Sequence, residues 1–174
     1  MNIRAAILVL TCLGVAGCTE ELVPVERTAM FPKNNAQALL QLCYHEPSGI
    51  TGYWTPGVAD LAGVEHHLES FLRSLPERRG SPSQGWAEYY RQVAGIEIGG
   101  RRYLFISYAW CPLMHDARYI ADHKREMEAQ GRPYDPEWWK KQPLGVADGG
   151  SSFFRVIYDP RTKQFIWYEQ NGNA

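Results

Sequence analysis

The chain predicts an α+β fold: an amphipathic helix packed on a four-stranded antiparallel sheet of two hairpins, with a long aromatic-rich insertion between the hairpins. Three observations predict it. Leu61, Val64, Leu68, Phe71, Leu72 and Leu75 recur at three- and four-residue spacing opposite His66, Glu69 and Arg73, which is one apolar stripe along one helix. From Tyr89 the period falls to two, and Gly99-Gly100 sits between the alternating run 89–98 and an aromatic, β-branched run 101–109, as a two-residue hairpin turn requires. Residues 153–158 and 164–169 repeat the pattern around Asp159-Pro160-Arg161-Thr162-Lys163, with Pro placed for a type I turn. A helix laid across one face of such a sheet buries both apolar surfaces.

At the N-terminus, Val15-Ala16-Gly17-Cys18 follows a single basic residue, Arg4, and an apolar run from Ala5 to Gly14. This resembles a bacterial lipoprotein signal with its lipobox. The resemblance implies cleavage before Cys18, a diacylglycerol on its thiol and acylation of the new amine, so residues 1–17 are a signal peptide and Cys18 is the membrane anchor. The alternative of an uncleaved spanning helix needs about 20 apolar residues, and this run is shorter. Two or more acyl chains hold a protein stably on a membrane. Thr19 rather than Asp after the modified cysteine implies the periplasmic face of the outer membrane in a diderm source.

Residues 18–33, with Pro24, Pro32 and little periodicity, read as a tether, and residues 34–174 as a single domain. Asn34-Asn35 offers caps for a short helix through Leu39, Leu42 and Cys43. Thr55-Pro56 reads as the start of the long amphipathic helix, and the Gly, Ser and Pro of residues 77–84 end it. Residues 110–146 form the insertion, far longer than the usual connection. Within it, Asp116 to Gln130 carries helical spacing with Gly131 as a stop, and Trp138-Trp139 follows an irregular stretch.

Helix followed by meander is similar to cystatin-like, helix-on-sheet folds. Thr55-Pro56, Arg91-Gln92-Val93-Ala94-Gly95, Asp148-Gly149-Gly150 and Asn171-Gly172-Asn173-Ala174 together resemble a group of small exported bacterial proteins of unassigned function. That resemblance implies a single domain with residues 110–146 as a variable insertion, and it carries over no catalytic residue.

Loss of residues 1–17 removes one charged residue, Arg4, and leaves 17 basic against 19 acidic side chains. So balanced a chain lacks the basic block through which proteins bind nucleic acid, and no nucleic-acid partner is expected. Cys12 leaves with the signal and Cys18 is lipidated, so Cys43 and Cys111 remain. In an oxidising compartment an even remainder favours a disulfide between them, with two separately buried thiols as the alternative.

Several constellations invite chemistry. His66 and His67 are adjacent on a helix and so face different directions; metal chelation needs i, i+4 spacing, and no metal is expected. Trp110-Cys111-Pro112 has Met at 114 where a redox pair needs a second thiol. Cys111 and His115 form a nucleophile-and-base pair only if Cys111 is reduced. Asp148-Gly149-Gly150-Ser151-Ser152 lacks the Lys of a phosphate loop and precedes a strand, so it reads as a turn. Trp110, Tyr134, Trp138 and Trp139 read either as an aromatic contact surface or as a satellite core beneath the insertion.

The expected function is a lipid-anchored, non-enzymatic binding module of the envelope, with no cofactor. Its partner is a protein or a cell-wall component, and inhibition of, or immunity to, a wall-targeting enzyme is one form of this. The alternative is an envelope hydrolase using Cys111 or a histidine; a structural lipoprotein without a specific ligand is a third class.

Overall fold

The computed structural model describes residues 25–75, 88–145 and 149–172; the lipobox and Cys18 lie outside these residues. The architecture is α+β, but the sheet has six strands rather than four and is not wholly antiparallel. Its centre is the expected pair of hairpins. Strand β3 (Tyr90–Ile98) turns through Gly99 and Gly100, at φ 56° and 73°, into β4 (Arg101–Ala109). Strand β5 (Phe153–Asp159) turns into β6 (Gln164–Gln170), with the Asp159 carboxylate accepting from the Arg161 and Thr162 amides. β4 pairs with β5, which joins the two hairpins into one meander.

The two additional strands come from segments without hairpin signals. Strand β1 (Thr28–Phe31) lies in the stretch read as tether and pairs parallel to Arg91–Ala94 of β3, so the tether ends earlier than the proline content implies. Strand β2 (Ile50–Trp54) pairs antiparallel with the other half of β3, Gly95 to Ile98. The two strands therefore follow one another along a single edge of β3. Gly95 is obligatory there. A Cβ on it would lie 2.6 Å from the Trp54 ring and collide with the Trp54 carbonyl.

Both faces of the sheet are covered, where one helix on one face was expected. On one face α2 (Val64–Ser74) sets Val64 and Leu68 over Val93, Leu104, Ile106, Tyr108, Phe154 and Val156. Thr55-Pro56 does not start this helix: Thr55 Oγ1 accepts from the Lys33 amide at 3.1 Å, and Gly63, at φ 76°, separates α2 from a preceding 3-10 turn at Val58–Leu61. In the first turn of α2, Glu65 pairs with Arg91, whose side chain is only 1% exposed, and this ties the helix to β3. The opposite face is covered by α1 (Ala36–Leu40) together with Trp139 and Leu144 of the insertion, packed on Ala94, Ile96, Phe105 and Ile157. The insertion thus supplies part of the main core.

Among the described residues no helix is long and apolar enough to cross a membrane.

Candidate contact surface on the insertion

A row of polar residues runs across the sheet beneath the insertion. Gln92, Ser107, Arg155 and Glu169 are mutual partners in the ladders of β3, β4, β5 and β6, and all four are buried. Each end of the row grips a covering segment. The Gln92 carboxamide donates to the carbonyls of Trp139 and Gln142 and accepts from the Leu144 amide at 2.6 Å, so one buried side chain satisfies three backbone groups of the insertion. At the other end the Glu169 carboxylate accepts from the Tyr44 and His45 amides at 3.0 and 2.7 Å. Glu169 also lies 3.5 Å from Arg155, whose Nη1 donates to Asn171 at 2.8 Å.

These clamps leave the outer half of the insertion unburied. Helix α3 (Ala117–Ala129) begins where Asp116 accepts from the Tyr119 amide at 2.8 Å, and it ends before Gly131 at φ 69°. None of its residues is buried. Its half-buried positions, Ile120, His123 and Met127, share one side at helical spacing, while Tyr119 is 38% exposed. Four rings gather at this side. His123 lies parallel to Tyr119 with centroids 6.1 Å apart, meets Tyr134 edge-on at 6.0 Å and lies 6.1 Å from Trp138.

The four aromatics read from the sequence as one set are divided among three places. Trp110 follows β4 and packs against the α2 core, because successive strand residues point to opposite faces. Trp139 is buried in the other core, 4.8 Å from Tyr90. Tyr134 and Trp138 are at the surface cluster, where they meet Tyr119 and His123, which the sequence reading missed, and Trp138 also packs by its buried side against the core that holds Trp139. The i, i+4 spacing of Tyr119 and His123 was the available signal, since it places both rings on one side of a helix.

The charges around the rings cancel locally. Residues 116–141 hold six acidic and six basic side chains, and Asp122 pairs with Arg125, Lys124 with Glu128, Glu137 with Lys140, and Asp135 with Lys141. Hydrogen bonds from Lys141 and from the Glu137 amide hold the Asp135 carboxyl below the usual carboxylate range.

Cys43 and Cys111 are not joined in a disulfide in this structure. Their surroundings differ: the Cys43 thiol is pushed up to about 12, first by burial and then by Glu169, with which it hydrogen-bonds, whereas Cys111 acts electrostatically on Tyr90 of β3. The other candidates fall into scaffold positions. His66 is exposed and His67 half-buried on α2, with rings in edge contact at 5.0 Å. The side chain of His115 and residue 148 lie outside the described parts, while Gly150 and Ser152 make a 3-10 turn whose Ser152 carbonyl accepts from the Trp110 amide at 2.7 Å. Among the described residues no group of three or more His, Cys, Asp or Glu is placed to hold a metal ion.

No protein-family model, curated protein or solved structure matches this chain.

Proposed function

We propose that this protein is a lipid-anchored binding module of the bacterial cell envelope, held through Cys18 at the periplasmic face of the outer membrane, and that the ring cluster of α3 is its contact surface. One observation carries the reading. The insertion is fixed to the sheet by Gln92, Trp139 and Leu144, yet it projects a helix with no buried residue and a cluster of partly exposed rings. Rigid support beneath partly exposed Tyr and Trp is the arrangement by which contact surfaces gain affinity, because the rings have little conformational freedom to lose.

A photo-cross-linking amino acid at Tyr119, in cells producing the full chain, tests the reading. Adducts to an envelope component are expected at position 119 and are expected to disappear with Trp138→Ala. The same probe at Lys163, on the far turn of the β5–β6 hairpin, serves as the reference. Equal adduct yields at the two positions would remove the ring cluster as the contact surface. Retention of Cys18→Ala in the membrane fraction, without palmitate labelling of the wild type, would remove the anchor.

A further inference from the structure

We infer that the partner of the ring cluster is the phospholipid headgroup layer of the membrane that holds the anchor. This rests on the reading of Cys18 as the lipidated residue. The register of the sheet places anchor and rings at one end. Thr28 of β1 pairs with Arg91, Arg91 with Tyr108, and Tyr108 with Phe154. The chain just before Thr28, the chain leaving β4 into the insertion and the chain re-entering β5 therefore emerge together. Side chains link them: the Arg27 guanidinium lies 5.7 Å above the Tyr90 ring, which lies 4.8 Å from Trp139, the neighbour of Trp138. The Gly99-Gly100 and Pro160 turns occupy the opposite end.

The tether is short. Only six residues, Thr19 to Pro24, lie between Cys18 and the 3-10 turn that opens at Val25, and this length spans at most about 25 Å. The insertion end of the sheet is thereby held over the bilayer. Three features suit the lobe to that surface. Tyr and Trp side chains settle where one edge is apolar and the other wet, as in the headgroup region. The locally cancelled charges match zwitterionic headgroups, which present both signs. And the tether holds the lobe near its target at an effective concentration of order millimolar, so a patch of four rings, too small to capture a partner from solution, suffices.

The test uses the full lipoprotein in vesicles of phosphatidylethanolamine and phosphatidylglycerol, with hydroxyl-radical footprinting read by mass spectrometry. A second form carries thirty Gly and Ser residues inserted after Pro24. Tyr119, Tyr134 and Trp138 are expected to be protected severalfold in the wild type relative to the long-tether form, in which effective concentration falls roughly tenfold. Ile166 and Lys163 are expected to react alike in both. A wild-type chain that floats with the vesicles but shows the same reactivity at the three rings as the long-tether form overturns this inference and leaves the binding-module reading standing. A cross-link from position 119 to a protein or to wall glycan, with those rings unprotected on vesicles, does the same. A wild-type chain that does not float overturns the anchor and this inference together.

Discussion

The Leu144 amide donates to the Gln92 carboxamide oxygen at 2.6 Å across 52 residues of sequence, and through that bond the insertion becomes part of the sheet. The same carboxamide takes up the carbonyls of Trp139 and Gln142, so its orientation is fixed by three partners. Gln92→Leu keeps the volume and strands all three backbone groups. Each buried group left unsatisfied costs about 1–3 kcal/mol. Native-state amide exchange is expected to speed up in residues 139–144 before the β3–β4 hairpin responds. Unchanged protection at Leu144 would show that the clamp is dispensable.

Adjacent tryptophans should respond in opposite ways. Trp139 is 5% exposed and packs edge-on against Tyr90, so Trp139→Ala is expected to cost about 3–5 kcal/mol in chemical denaturation. Trp138→Ala, at the half-buried ring cluster, should cost well under half as much while abolishing the contacts made from position 119. Equal losses of stability would assign Trp138 to the core.

The Arg91–Glu65 pair predicts a marked asymmetry between single and double replacement. Arg91 is 1% exposed, and Glu65→Ala strands its charge under α2, at a cost of about 3 kcal/mol, the lower end of the range because 15% of the Glu65 side chain remains exposed. Replacing both, as Arg91→Met with Glu65→Leu, should recover most of that. A double-mutant cycle in urea measures it, and additive losses would mean the pair is not coupled.

The raised Cys43 thiol sets a pH dependence of definite sign. A group whose folded pKa lies above its unfolded value of 9.0 stabilises the fold below that value, and the stabilisation is lost as pH rises through about 12. Alkylation of Cys43 in the native Cys111→Ser chain at pH 8 should therefore run about a thousandfold slower than that of an unperturbed thiol, from its smaller thiolate fraction. Alkylation of the wild-type chain, unfolded without reductant, is expected to modify both thiols; failure to modify either would establish a bridge between them.

The central hairpins were legible because their turns carry local signals: Gly99-Gly100 adopts positive φ at both positions, as a primed turn demands, and Asp159 bonds the amides of its own turn. Helix α3 was legible through Asp116 and Gly131 at its ends. β1 was not, since four residues preceding Pro32 show no alternation and a parallel partner sixty residues away leaves no mark on local sequence. β2 carries Gly52 at its centre and a register shift, which breaks its period. The ring cluster was half legible. Trp138 and Trp139 look identical in sequence, and only the Gln92 clamp on the Trp139 carbonyl decides which of them turns inward.

The parallel pairing of β1 with β3 has a consequence for biogenesis. β1 is the first strand of the chain, yet the strand it needs follows only after α1, β2 and α2. Local hairpins close within microseconds, whereas a pairing across so long a loop waits for both ends to be present. The domain therefore folds outward from β3 and β4, and its first strand is set in place late. Until then Met30 and Phe31 lack the cores they join in the folded chain, and a chaperone has its clearest reason to bind there.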